Sequence, residues 1–231
     1  MRCEVQVVTY RSDIQVPFEG AFIPVVIRNY TQQDFQAMID LQSECFPPPF
    51  PEELWWNREQ LGQHVSRFPE GAICVEYNGK IIGSITSLLI SFNPAEPDHT
   101  WEQVTDRGYI RNHDPEGDAL YVVDICIHPA FRKAGLGKIM MQALYQLVVK
   151  LNVKRLLGGG RMPGYGTYTQ QMTAEEYVEK VVEGTLHDPV ITFLLKCGRT
   201  PVRVMENYLE DDESKNYALL MEWKNPLYSI E

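Results

Sequence analysis

Apolar and polar positions along the chain recur at two periods, and the switches between them predict an order of elements. The first 24 residues give the weakest pattern. Residues 4–10 read as a strand, and 17–24, bounded by Pro17 and Pro24, as a loop. Val25-Val26-Ile27-Arg28-Asn29-Tyr30 is a better strand. Phe35, Met38, Ile39, Leu41 and Cys45 then recur at helical spacing behind Thr31 and Asp34, a pair suited to a helix entrance. Pro47, Pro48, Pro49 and Pro51 forbid continuation, since each fixes φ and removes a donor. A second helix is expected to begin near Pro51 and to turn Leu54, Trp55, Leu61 and Val65 inward.

Strands follow at 71–77 and 80–92, with Asn78-Gly79 between them as a hairpin signal, because both residues tolerate positive φ. Residues 93–117 are polar and interrupted by proline and glycine, which reads as a long excursion. Its Trp101, Tyr109, His99 and His113 either line a pocket or anchor a folded-back surface loop. Residues 119–127 form a near-continuous apolar run, a buried central strand ended by His128-Pro129. An amphipathic helix is predicted over 139–151 and a short strand over 154–157, stopped by Gly158-Gly159-Gly160. Thr173-Ala174-Glu175-Glu176 is a capping-box pattern opening a helix to about Glu183. Asp188-Pro189 opens another, to about Lys196, with Gly198 placed as its cap. Residues 201–207 and 217–223 read as closing strands around a solvated acidic turn, Glu210-Asp211-Asp212-Glu213. No internal repeat or clean linker divides the chain.

Composition narrows the function classes. A chain of 231 residues can bury a full core without metal or disulfide staples. The net charge of −10 argues against binding nucleic acid, which needs a dense basic surface. Cys3, Cys45, Cys74, Cys126 and Cys197 are scattered without a CxxC pair, which fits buried thiols in a reducing compartment. The first residues lack the apolar centre of a signal peptide, and no stretch is long and apolar enough to span a membrane. A cytoplasmic protein is therefore expected. The histidines show no metal-ligand spacing, so no metal is expected.

The most informative segment joins the buried strand to the amphipathic helix: Ile125-Cys126-Ile127-His128-Pro129-Ala130-Phe131-Arg132-Lys133-Ala134-Gly135-Leu136-Gly137-Lys138. The first N–H groups of a helix lack partners within it, and the helix dipole places positive charge there. A glycine-bearing turn at that point can aim several N–H groups at a phosphate. Arg132, Lys133 and Lys138 add charge. Neither a Rossmann fingerprint nor a Walker A loop is present.

Ile125-Cys126-Ile127-His128-Pro129 followed by Arg132-x-x-Gly135-x-Gly137 resembles the acetyl-CoA-binding motif of GNAT-family N-acetyltransferases. The element order agrees from Val25 to Trp223. Further stretches (Gly159-Gly160-Arg161-Met162-Pro163, Asp188-Pro189-Val190 and residues 203–208) look like a GNAT subgroup found beside or fused to nitrilase-type amidohydrolases. The resemblance implies an α/β fold: a central mixed, mostly antiparallel sheet, splayed at the cofactor-binding strand and flanked by helices. Residues 1–24 would be an N-terminal extension and 25–231 the GNAT domain. The backbone of Ile125, Cys126 and Ile127 would hold pantetheine. The N–H groups of Arg132, Lys133, Ala134, Gly135, Leu136, Gly137 and Lys138 would hold the pyrophosphate. An acyl group would pass from acetyl-CoA to a small-molecule or peptide amine by direct attack, with strand N–H groups meeting the oxyanion. A homodimer is compatible with this expectation.

The family's late-helix tyrosine is absent, and Leu194 stands in its place. The thiolate would then leave unassisted, or Tyr165, Tyr168 or Tyr208 would protonate it. Asp124 interrupts an apolar strand and is either the base that takes the ammonium proton, an anchor for a cationic substrate, or a structural carboxylate. Trp101, Arg161 and Tyr165 are expected to border the acceptor. Cys126 reads as core packing rather than a nucleophile. A rival class remains: a noncatalytic acyl-CoA-binding sensor or regulatory module. A nucleotide-diphosphate enzyme using the same turn is a third reading.

Overall fold

The computed structural model describes residues 10–48 and 50–229. The expected strand over 4–10 lies almost wholly outside that range. One eight-stranded sheet runs through the molecule in the order β1-β2-β3-β4-β5-β6-β8-β7. Its strands are β1 (Arg11–Phe18), β2 (Ala21–Asn29), β3 (Ala72–Tyr77), β4 (Lys80–Ile90), β5 (Ala119–Ile127), β6 (Arg155–Arg161), β7 (Thr200–Met205) and β8 (Ala218–Lys224). All neighbours are antiparallel except β5 and β6.

The loop expected at 17–24 is instead a hairpin. Glu19 and Gly20 take φ of 48° and 81°, which turns β1 back onto β2. Pro17 is tolerated because β1 is an edge strand, and Pro24 because β2 meets β3 only from Val26 onward. A boundary after residue 24 would pass through β2. Phe18 stacks on Phe131 at 4.8 Å, so this hairpin supports the turn after β5. Asn78 and Gly79 form the expected hairpin turn, with φ of 49° and 75°.

The helices are α1 (Phe35–Cys45), α2 (Arg58–Arg67), α3 (Trp101–Thr105), α4 (Leu136–Lys150), α5 (Ala174–Val182) and α6 (Ile191–Lys196). The second helix begins later than expected, because Asn57 caps the Gln60 N–H and a short 3-10 turn occupies Glu52–Leu54. Trp56 is consequently the buried tryptophan there, and Trp55 is only half-buried. The 93–117 excursion holds the short helix α3, capped by Thr100.

Helices cover both faces of the sheet. Ser84 meets Cys126 beside Gln42 of α1, whereas a Cβ on Gly83 would meet Ile127 and Met140 of α4. Successive strand residues face opposite sides, so α1 and α4 lie on opposite faces. On the α4 face, Phe193 of α6 abuts Gly137, and the Tyr145 hydroxyl donates to the Cys197 carbonyl at 2.8 Å.

Gly158, Gly159 and Gly160 do not stop β6 but lie within it. Each leaves room for a neighbour. A Cβ on Gly159 would stand 2.4 Å from the Tyr208 ring, and one on Gly160 would stand 2.8 Å from Leu194.

Candidate active site

β5 and β6 pair over only three positions, the last being Tyr121 with Leu157. Beyond that point residues 122–127 and 158–161 diverge, and a cavity of about 790 Å³ opens between them. A bulge lies beside the opening: Thr86 pairs with Asp124 and Ser87 with Val122, leaving Val123 outside the ladder. The Val123 carbonyl accepts a hydrogen bond from the Trp101 indole at 3.0 Å. Trp101 is thus part of the cavity wall, but its polar atom holds the bulge.

On the α4 face the wall is the turn at 132–138. Lys133 and Gly135 take left-handed φ of 79° and 77°, an alternation that gathers N–H groups into a concave surface. Gly135 is the N-cap of α4, and nothing lies within 4 Å of where its Cβ would be. The N–H groups of Leu136, Gly137 and Lys138 open the helix and have no partner within it. A concave surface of this kind suits an anion such as a diphosphate. Arg132 differs from the expectation. Its guanidinium donates to the carbonyls of Ile127 and Cys45, both at 3.2 Å, and so clamps the turn to the end of α1. Arg132, Lys133, Gly135, Leu136, Gly137 and Lys138 all line the cavity with Ile125, Cys126 and Ile127, whereas Ala134 is buried beneath the turn.

On the opposite face Asp124 lines the same cavity, half-buried, and accepts a hydrogen bond from the Gln42 amide at 2.9 Å. Burial pushes its carboxyl up to about 7, against the lowering effect of that bond. Cys126 is buried, and its thiol is pushed well above the ordinary value by hydrogen bonding with Cys45 and by burial, which fits packing and not nucleophilic attack.

Tyr208 lines the cavity and heads a chain of hydrogen bonds. Its hydroxyl lies 2.9 Å from that of Tyr121, which lies 2.8 Å from His99 Nε2. His99 Nδ1 is 2.8 Å from the Pro97 carbonyl, which can only accept. The ring proton therefore sits on Nδ1, Nε2 accepts from Tyr121, and Tyr121 accepts from Tyr208. Burial raises both phenols, Tyr208 to about 12, and lowers His99. The Tyr208 proton is committed to Tyr121, so toward the cavity its oxygen can only accept. That polarity is opposite to the one a general acid needs.

Other expected residues are placed differently. Tyr165 and Tyr168 do not line the cavity. Tyr165 packs between Tyr177 and Tyr217, and Tyr168 against Tyr177. Arg161 does line it, but its guanidinium is held in two bonds of 2.7 Å by Asp211 and a third by Glu213, and lies over the Phe50 ring. Asp211 is 4% exposed, so the acidic run is not simply a solvated turn. His113 stacks on Phe68 and accepts from the Leu89 N–H, away from the cavity. The sequence reading missed Gln42, Tyr121 and Arg199. Gln42 carried a signal, since it falls one helical turn after Met38 on the apolar face and is 2% exposed.

Among the described residues no cluster suits a metal ion, and no helix is long and apolar enough to cross a membrane. The Acetyltransferase (GNAT) family model matches residues 35–162. The chain is 56% identical over 207 residues to the uncharacterized N-acetyltransferase YkwB of Bacillus subtilis (strain 168), covering 90% of this chain and 92% of that one. It is 44% identical over 205 residues to the probable hydrolase YhcX of the same organism, covering 88% of this chain but 39% of that protein. The loading GNATL domain of CurA from Lyngbya majuscula shares the fold, with a TM-score of 0.75 at 22% identity over 87% of this chain and 98% of that one.

Proposed function

The chain belongs to the GNAT family of acetyltransferases and is an N-acetyltransferase that uses acetyl-CoA; from that premise we propose that transfer takes place in the cleft between β5 and β6. The observation that carries this reading is that one cavity joins the N–H-rich turn on the α4 face to Asp124 on the α1 face. Acetyl-CoA supplies a thioester, an acyl donor with a good leaving group. The turn at 132–138 holds its diphosphate, and the edge of β5 at Ile125, Cys126 and Ile127 holds its arm. The acceptor is a primary amine of a small molecule or peptide, entering from the α1 face.

An alkylamine at pH 7 is mostly ammonium, with a pKa of about 10.4. Asp124, ionised above about pH 7, takes one proton and frees the lone pair for attack. Attack leaves a second proton on nitrogen. Tyr208 offers it an oxygen acceptor, and the chain through Tyr121 delivers it to His99, which is half-buried and open to solvent. The thiolate leaves without an acid, as a thiol of pKa about 8.5 can. Leu194 on α6 is consistent with that route.

Four cysteines among the described residues are free thiols, which supports the cytoplasmic expectation. The relative named a probable hydrolase supports a hydrolase acting alongside this chain. The test is release of free CoA thiol from acetyl-CoA across an amine panel. Amine-dependent release with a rising limb near pH 7 is the expected result. Tight acetyl-CoA binding without release from any amine would favour a sensor module.

A further inference from the structure

Arg199 follows α6 and is 3% exposed, yet its guanidinium borders the cavity. Its Nη2 donates to the Met221 carbonyl, and its Nε reaches no partner. Among the described residues no carboxylate lies within ion-pair distance. The other arginines with largely buried side chains behave differently: Arg28 holds Asp34 and Glu76, Arg155 holds Glu222, and Arg161 holds Asp211 and Glu213. Its titratable neighbours are phenols and a thiol, of Tyr121, Tyr145, Tyr208 and Cys197, which are neutral at pH 7. Burial lowers the guanidinium only to about 10, so it stays charged at neutral pH. A buried, unpaired cation is costly unless something compensates it.

Its place in the fold says what that something is. β5 and β6 last pair at Tyr121 and Leu157, so Val122 and Gly158 are the first residues beyond the join. A Cβ on Gly158 would lie 3.2 Å from Val122 Cβ and 3.4 Å from Arg199 Nη2. Arg199 therefore stands over the closed end of the cleft. In the reading above, CoA enters at 132–138 and runs back along Ile127 and Ile125, so its acyl group points at that closed end.

We propose that Arg199 recognises a terminal carboxylate on the acyl group, so that the chain accepts dicarboxylic monothioesters of the malonyl or succinyl class alongside acetyl-CoA. A carboxylate there meets the Nη1 and Nη2 edge of a planar guanidinium, which lies 3.4–3.5 Å from a Cβ placed on Gly158 and suits a carboxylate well.

The proposal rests on the CoA reading, and the test separates the two. Calorimetry would compare succinyl-CoA with butyryl-CoA and malonyl-CoA with propionyl-CoA, pairs differing chiefly by the carboxylate. The wild type should bind the carboxylated member about tenfold or more tighter, the gain of a charge-assisted bond in a dry site. Arg199→Met should erase that preference and leave butyryl-CoA affinity within about threefold. Equal affinities within each pair for the wild type would overturn the proposal even if Arg199→Met fails to fold, and so would a preference that survives in a folded Arg199→Met. If no acyl-CoA binds, the CoA reading itself falls. The carboxylate could instead belong to the acceptor. In that case Arg199→Met would raise KM for a carboxylated amine and leave every acyl-CoA affinity unchanged, which also overturns the assignment.

Discussion

On the α4 face, the wall of the cleft around the turn comes mainly from one run of chain, 125–138. On the α1 face it is assembled from Gln42, Trp101, Asp124, Arg161 and Tyr208, which belong to separate segments. The first wall leaves main-chain N–H groups unengaged at Leu136, Gly137 and Lys138. The second has most of its polar atoms occupied by one another. Trp101 is bound to Val123 through its indole and to Tyr208 through its N–H, Arg161 to Asp211 and Glu213, and Tyr208 to Tyr121. The difference is between a wall that presents free backbone N–H groups and a wall whose side chains first hold each other in place. Substitutions should therefore separate: changes in the turn should affect acyl-CoA affinity alone, and changes across the sheet should affect turnover, acceptor KM or stability.

Asp124→Asn should produce the largest effect. It keeps shape and the bond from Gln42, and removes the charge. At pH 7, kcat/KM should fall about 1000-fold, within the range for losing a general base. Acetyl-CoA affinity should hold within about twofold. The sign of the pH dependence follows from the raised carboxyl. Wild-type kcat/KM should climb as pH rises through about 7, where the carboxylate appears, and the variant should lack that limb. A variant with unchanged turnover and a lower Tm would make Asp124 structural.

Asp211→Asn should come next, as a stability effect. It leaves Arg161, whose side chain is 20% exposed, without its bidentate partner. Breaking such a pair costs about 3 kcal/mol, which lowers Tm by roughly 6–12 °C in a chain of this size. Burial raises the Asp211 carboxyl, but bonds from Arg161 and Ser214 outweigh it and hold the group below its ordinary value. Its contribution is therefore complete above about pH 4 and disappears as pH falls through the depressed value. Differential scanning calorimetry from pH 2 to 7 should show the wild-type and variant Tm curves converging at the acid end.

Gly135→Asp acts on the other wall. It forces a negative side chain into φ of 77° beside the proposed diphosphate seat. Acetyl-CoA Kd should rise about 100-fold. Tm should move little, because no atom lies within 4 Å of the new Cβ position. Unchanged affinity by calorimetry would remove the turn from the binding site.

The same contrast explains what was legible in the sequence. The α4 wall is local: strand, turn and helix follow one another, and glycines at 135 and 137 mark the backbone directly. The α1 wall depends on pairings across the fold. Nothing near Arg161 announces that Asp211, fifty residues later, neutralises it. Nothing near Tyr121 announces His99 on one side and Tyr208 on the other. The glycines at 158–160 misled for a related reason. In isolation they disfavour a strand, but here Arg199, Tyr208 and Leu194 pack over them. The hairpin at 11–29 was missed because Glu19 occupies a left-handed turn position without the usual Asn or Gly signature at that site.

The smallest effect, and the sharpest test of the α1 wall, concerns its hydrogen-bond chain. Tyr121→Phe removes the middle hydroxyl and fills nearly the same space, so the fold should persist. The side chain is fully buried, and the lost hydroxyl removes the partner of the Tyr208 hydroxyl and of His99 Nε2, a stability cost of about 1–3 kcal/mol. The Tyr208 proton is then free to turn toward the cavity, and the route to His99 is cut. If the chain removes the second ammonium proton, kcat should fall about three- to tenfold, a share of the contribution expected for proton transfer, while acetyl-CoA Kd stays fixed. His99→Gln should match that fall, and combining the two should add nothing, because both cut the same path. If Tyr208 were instead the acid for the leaving thiolate, Tyr121→Phe would raise kcat or leave it unchanged, since it releases the very proton an acid would donate. The sign of the change in kcat therefore decides which way the proton moves across this wall.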